Sequence, residues 1–204
     1  AKIAEQIEKI NIIPHKINYP KIESADKIIS QKCYVMAKKI YGTTLPEKIK
    51  ERLELELNSI KNNNFASIYL ISSDMVEYSN RLGYGVTSRG SVGDSFVAYL
   101  LGITDINPIE YNLPFEFFAG INYDKEPDID LNFSEIAQAK IFDFLQEKYG
   151  KDKIIWGGTI GTIEHPGRIF IIPENIEITD ICPVEIGENG FLKTHMDYHS
   201  IDNI

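Results

Sequence analysis

Pro127-Asp128-Ile129-Asp130-Leu131-Asn132-Phe133 alternates polar with apolar residues. In a strand the side-chain period is two, so Asp128 and Asp130 share one face while Ile129 and Leu131 share the other. Such a segment needs a core on one side only. The two aspartate Cα atoms would stand roughly 6.5–7 Å apart. Carboxylates that close, beside an apolar layer, repel each other and lose solvation unless a cation neutralises them. An oxygen-only donor set suits Mg²⁺ or Mn²⁺. Two such ions roughly 3.5–4 Å apart are the usual apparatus of phosphoryl or nucleotidyl transfer. A solvent-facing strand with ordinary acids has the same spacing, so the spacing alone leaves both readings open.

The rest of the chain changes period near Tyr84. Before it, apolar residues recur at helical spacing; after it, runs are shorter and punctuated by Gly and Pro. This predicts an α+β fold, with a helical part over 1–83 and a small mixed sheet with the aspartate strand over 84–204. Residues 1–22 read as a short helix and an extended piece broken by Pro14 and Pro20. A helix is expected over 24–41, with an apolar stripe of Ile28, Ile29, Val35, Met36 and Ile40 and a stop at Gly42. Pro46 opens a second helix with Ile49, Leu53, Leu57 and Ile60 inward and its charges solvated. A third covers 65–82. Strands are expected at 84–88, 154–156, 168–172 and 191–199, and helices at 96–101 and 134–149. The connector over 102–126 should pack Phe115, Phe117 and Phe118 on the core.

Two further groups of residues suggest chemistry. Ser88-Arg89-Gly90-Ser91-Val92-Gly93-Asp94-Ser95 is a glycine-rich turn between a strand and a helix. Backbone amides, a helix N-terminus and the Arg89 fork together suit an anion such as phosphate. The pattern is neither a Walker A loop nor a dinucleotide fingerprint, and an ordinary capped helix explains it too. His195, Asp197 and His199 alternate on one expected strand face, as a transition-metal site or a half-exposed strand edge would.

The formal net charge is −9, with Arg only at positions 52, 81, 89 and 168. That opposes a strong grip on nucleic acid by this chain alone, because phosphate contacts need clustered basic residues. No apolar run approaches the roughly 20 residues of a membrane span, and the first residues do not read as a signal peptide. Cys33 and Cys182 lack both the number for a disulfide framework and the spacing for zinc. A reduced, cytoplasmic setting without membrane contact is the expectation.

Several motifs in order carry a family resemblance. They are Ser88-Arg89-Gly90-Ser91-Val92-Gly93, Ala98-Tyr99-Leu100-Leu101-Gly102-Ile103-Thr104 with Asn107-Pro108, Pro127 to Phe133, and Gly158-Thr159-Ile160-Gly161-Thr162. Together they resemble the palm of bacterial C-family replicative DNA polymerases, the α subunits of DNA polymerase III. Asp130-Leu131-Asn132-Phe133-Ser134, His165-Pro166-Gly167 and Thr194-His195-Met196-Asp197-Tyr198-His199-Ser200-Ile201 are similar to the PolC branch. The resemblance implies a palm of the polymerase-β-like nucleotidyltransferase fold, with a thumb-proximal helical part before it. It implies that Asp128 and Asp130 are catalytic metal ligands for Mg²⁺ or Mn²⁺. It implies that Ser88, Arg89, Gly90 and Ser91 hold the triphosphate of an incoming dNTP. Primer-template DNA and other replisome subunits are the implied partners.

There are departures. The family's third catalytic aspartate belongs to a Leu-Asp-Ile-Leu-Gly-like strand beyond the segment matching His199 to Ile204. A long insertion, most of the fingers, is expected between Ile163 and His165, where this chain has only Glu164. Asp94 stands where the family has a small residue. These differences imply weak or no activity for the isolated chain. The alternative is a non-catalytic module, derived from a polymerase palm, that binds nucleotide and Mg²⁺ or a protein partner.

Overall fold

Three helices carry the first half of the described chain: α1 (Ala25–Tyr41), α2 (Glu47–Asn62) and α3 (Ala66–Arg81). The structure, a computed structural model, describes residues 19–157, 168–172, 176–187, 190 and 192–195. The expected elements within 1–18, the second glycine-rich turn at 158–162 and the 196–199 part of the last strand lie outside these residues. The described residues form two compact units, Tyr19–Leu145 and those from Gln146 onward.

In the first unit α1 buries Ala25, Ile29, Cys33 and Ala37, a face with a strict four-residue repeat. Of the larger residues expected there, only Ile29 is buried; Ile28, Val35, Met36 and Ile40 are exposed, Val35 by 64%. The correction has a steric cause. Small side chains let α1 pack closely on α3 and α4 (Phe96–Leu100), which a stripe read by hydropathy alone overlooks. On α2, Ile49, Leu53 and Ile60 are buried as expected, but Glu56 joins them. One core runs through all these helices, from Ile29, Leu53 and Tyr69 to Val92, Phe96 and Phe118, without a break at residue 83.

β1 (Thr87–Arg89) leads into a 3₁₀ turn, Gly90–Asp94, and then α4. The connector is mostly irregular, with one short helix, α5 (Glu116–Ala119). Phe115 and Phe118 are buried, but Phe117 points outward at 67% exposure, correcting the expectation of three inward rings. The Ser59 hydroxyl and Asn63 Nδ2 both donate to the Tyr123 carbonyl, at 2.7 and 2.9 Å, and tie the end of the connector to α2. Tyr123 sits at φ 57°, and these two bonds help hold that uncommon conformation.

β2 (Asp130–Asn132) pairs antiparallel with β1, with Thr87 opposite Asn132, Ser88 opposite Leu131 and Arg89 opposite Asp130. The ladder ends at the Arg89–Asp130 pair, because β1 passes directly into the 3₁₀ turn at Gly90. α6 (Glu135–Tyr149) follows, its start capped by Ser134, whose Oγ accepts from the Ala137 N–H at 3.3 Å. Gly150, at φ 104°, ends it.

The second unit holds β3 (Ile154–Gly157), β4 (Arg168–Ile171), β5 (Val184–Ile186) and β6 (Leu192–Thr194) in the order β4-β3-β6-β5. β3 and β6 run parallel and the other two pairs antiparallel. Its small core comprises Ile155, Ile172, Ile178 and Cys182. The mixed sheet predicted from the sequence therefore exists, but the aspartate strand is not part of it. That strand belongs to the separate two-stranded ladder.

Candidate nucleotide and metal site

Alternation along the aspartate segment is visible in its burial. Asp128, Asp130 and Asn132 are exposed, while Ile129, Leu131 and Phe133 are half-buried. Ile129 and Leu131 pack against the core of the first unit, so apolar anchoring fixes which way the two carboxylates face. Directly opposite residues of an antiparallel pair share a face, so Arg89 stands on the carboxylate side. Its Nε lies 3.5 Å from Asp130 Oδ2, and both side chains are more than half exposed. The ladder thus brings the expected triphosphate-binding arginine to Asp130, whereas Asp128 stands just before the strand, outside the ladder.

The 3₁₀ turn begins at Gly90, whose φ of 74° is a conformation that disfavours L side chains. Nothing lies within 4 Å of where a Cβ would stand, so Gly90 is needed for its backbone conformation and not for space. Val92 is fully buried and roots the turn in the core. Ser88 and Ser91 are half-buried, and Arg89 and Gly90 are exposed.

The helix N-terminus expected to receive an outside anion is already filled from within. Glu56 is 0% exposed. Its Oε1 accepts from the Phe96 N–H at 2.9 Å and from Arg52 Nε. Its Oε2 accepts from the Val97 N–H at 2.9 Å and the Ser95 hydroxyl at 2.8 Å. The first amides of α4 are therefore spent on the protein's own carboxylate. Burial pushes the Glu56 carboxyl above its ordinary range, opposed by Arg52 and by the Val97 and Phe96 amides. Asp94, the last residue of the turn, is also pushed up by partial burial and pulled back by Arg52. What remains for an outside anion is Arg89 and the turn itself.

The helical pattern of α2 predicts solvated charges, but the Glu56 side chain is fully buried and that of Arg52 only 19% exposed. A signal was available: Glu56 lies three residues after Leu53 and four before Ile60, on the buried face, and Arg52 precedes it by four.

His195 Nδ1 lies 3.1 Å from Glu185 Oε2, and Lys193 Nζ lies 2.7 Å from Glu185 Oε1. Lys193 first, and His195 with it, hold the Glu185 carboxyl below its ordinary range. Asp197 and His199, the other members of the expected histidine site, lie outside the described residues. Among the described residues no three His, Cys, Asp or Glu side chains gather as a metal site. No described helix is long and apolar enough to cross a membrane.

The family model described as "Bacterial DNA polymerase III alpha NTPase domain" matches residues 27–165. A DNA polymerase III PolC-type protein of Halalkalibacterium halodurans is 34% identical over 288 positions, covering 99% of this chain and 20% of that protein. PolC-type proteins of Thermotoga petrophila and Clostridium perfringens are each 32% identical over 285 positions and 98% of this chain, covering 21% and 20% of their own lengths. This chain thus spans about a fifth of the length of these relatives. The aligned lengths exceed its 204 residues, so the relatives hold additional residues between matching segments. With the glycine turn and the aspartate segment inside the matched range, the chain belongs to the bacterial DNA polymerase III alpha family.

Proposed function

We propose that this chain forms the palm part of a DNA-directed DNA polymerase, of the polymerase-β-like nucleotidyltransferase fold. Residues 84–204 would be the palm core and the helices before them its thumb-proximal support. The observation that carries the reading is the β1–β2 ladder, which sets Arg89 3.5 Å from Asp130, beside the glycine turn. Asp128 and Asp130 fit Mg²⁺ or Mn²⁺, because both donors are oxygens and both stand on the solvent side of an anchored segment. Asp128 and Asp130 would hold divalent ions there, and the chemistry such ions would supply is activation of the primer 3′-hydroxyl and neutralisation of the leaving pyrophosphate. Ile129 and Leu131 keep the two carboxylates in place, since misplacement of reacting groups by about 1 Å can cost on the order of 100-fold in rate. Arg89, with Ser88, Gly90 and Ser91, holds the triphosphate of the dNTP and orients it towards the carboxylates.

Primer-template DNA and other replisome subunits are partners of the whole polymerase, in the cytoplasm. A third carboxylate comes, in this reading, from the family's strand beyond the segment matching His199 to Ile204. With two carboxylates and a net charge of −9, these 204 residues alone should extend a primer poorly or not at all. The test is primer extension at low salt with Mg²⁺ and then Mn²⁺, using Asp128→Asn as control, together with a Mn²⁺ titration. Mn²⁺ binding lost in the Asp128→Asn/Asp130→Asn variant supports the site. Unchanged Mn²⁺ binding places the ion elsewhere and leaves the non-catalytic module as the better reading. Robust extension that vanishes in Asp128→Asn means that the short chain holds a complete active site.

A further inference from the structure

Arg52 offers more than a counter-charge to Glu56. Besides donating from Nε to the carboxylate, it donates from Nη2 to the Asp94 carbonyl at 2.7 Å and from Nη1 to the Leu113 carbonyl at 3.1 Å. The guanidinium also lies over the Phe115 ring, 5.8 Å from its centroid. Glu56 meanwhile collects the Ser95 hydroxyl and two amides of α4. Ser95 Oγ is 3.2 Å from the buried Tyr69 hydroxyl, which extends the network to α3. One ion pair on α2 thereby bonds to three parts of the first unit that are distant in sequence. These are the end of the 3₁₀ turn with the start of α4, the segment before α5, and α3.

The place of this network relative to the turn is what gives it meaning. The turn Gly90–Asp94 is held at its first end by the ladder, where Arg89 stands opposite Asp130. It is held at its last end by Arg52, on the Asp94 carbonyl. Between those ends Gly90 is exposed and Ser91 half-buried. A fully buried charge is an expensive way to fill a core, and apolar residues of similar volume often serve stability as well or better. Its particular contribution here is directional: fixed donors and acceptors set the position of main-chain atoms, which apolar packing does less sharply.

We infer that Arg52 and Glu56 are positioning residues that set the turn Gly90–Asp94 against the Asp128–Asp130 face. The nucleotide part of this inference rests on the function proposed above; the mechanical part does not. Neither residue touches the substrate in this scheme. They act through the Asp94 carbonyl and the α4 amides.

The experiment compares Arg52→Lys with Leu53→Ala. Lysine keeps a charge beside Glu56 but lacks the planar fork that reaches two carbonyls and a carboxylate. Leu53 is buried on the same helix turn and makes an ordinary core vacancy when shortened. Amide hydrogen exchange is followed across the first unit, and Mn²⁺-dATP is titrated in parallel. Arg52→Lys should speed exchange of the 90–94 amides about tenfold more than that of the α1 and α3 amides, and weaken Mn²⁺-dATP binding about fivefold or more. Leu53→Ala should speed exchange evenly and change nucleotide affinity less than twofold. If Arg52→Lys folds too poorly to measure, Glu56→Asp, which keeps the charge but draws the carboxylate back, should give the same localised pattern. Exchange that rises evenly in these variants, or a turn left as protected as before, overturns the inference. If Mn²⁺-dATP binding to the parent chain is absent or indifferent to Arg89→Ala, the nucleotide reading fails, while the exchange pattern still decides the clamp.

Discussion

One glutamate-centred ion pair in each unit shows an opposite way of holding charge. In the first, Glu56 is fully buried and receives four donors, and its partner Arg52 is only 19% exposed. In the second, Glu185 meets Lys193 and His195 across β5 and β6, with side chains 39–50% exposed. The first arrangement is costly in desolvation and fixes backbone atoms. The second stays hydrated, is screened by salt, and leaves its strands to be held by the ladder and a small apolar core. Two ion pairs that each centre on a glutamate therefore carry different consequences, and burial is the main difference between them.

The largest expected effect tests the buried side of that comparison. Glu56→Ala strands Arg52, the Ser95 hydroxyl and two amides, and should destabilise the chain by about 3–5 kcal/mol in urea unfolding. A loss under about 1 kcal/mol would mean that water or a rearranged neighbour replaces the carboxylate at little cost. Next come the exposed carboxylates of the first unit. Asp128→Asn/Asp130→Asn should reduce Mn²⁺ affinity tenfold or more, about 1.4 kcal/mol. It should shift the unfolding free energy by no more than about 0.5 kcal/mol, as surface changes do. A large stability loss without a change in Mn²⁺ affinity would make these residues structural.

Arg89→Ala is smaller still and has two signs. Removing a cation that shares Asp130 should tighten Mn²⁺ binding about two- to threefold, while Mn²⁺-dATP binding weakens. Both moving in one direction would contradict an arginine poised between carboxylate and phosphate. The smallest effect lies in the second unit. The Glu185 carboxyl should titrate below ordinary glutamates by NMR and rise towards their range in Lys193→Ala, with His195 still lowering it. The sign is that of a depressed acid: whatever stability the pair gives is present above the ordinary carboxylate range and fades as pH falls through the lowered value. At so exposed a site the denaturation midpoint should hardly move.

Helix existence was legible in the sequence because long periodic segments report the burial of one face, and α1, α2, α3 and α6 follow the expected spans closely. Which residues of α1 face inward was not, because Ala25, Cys33 and Ala37 are selected by closeness of approach and their hydropathy does not stand out. β5 has no counterpart among the expected strands, since three residues pairing with β6 leave no periodic trace. For the candidate site, the exposure of Asp128 and Asp130 beside half-buried Ile129 and Leu131 followed from alternation alone. Their nearness to Arg89 depends on a register that no local pattern encodes. The role of Glu56 needed three dimensions, because three of its four donors come from residues 39 to 41 positions away.

The anchoring of Ile129 and Leu131 places an arithmetic constraint on the segment between them. Any acidic or polar letter can stand at the two outward places without disturbing the core. A single residue inserted between Asp128 and Asp130 changes parity: one carboxylate turns inward against apolar neighbours, and the pair is divided between two faces. Two inserted residues restore the side but lengthen the separation by roughly 6.5 Å. Substitution and length change are therefore unequal events here. The segment can be respelled freely at its exposed positions, but it cannot be lengthened by one.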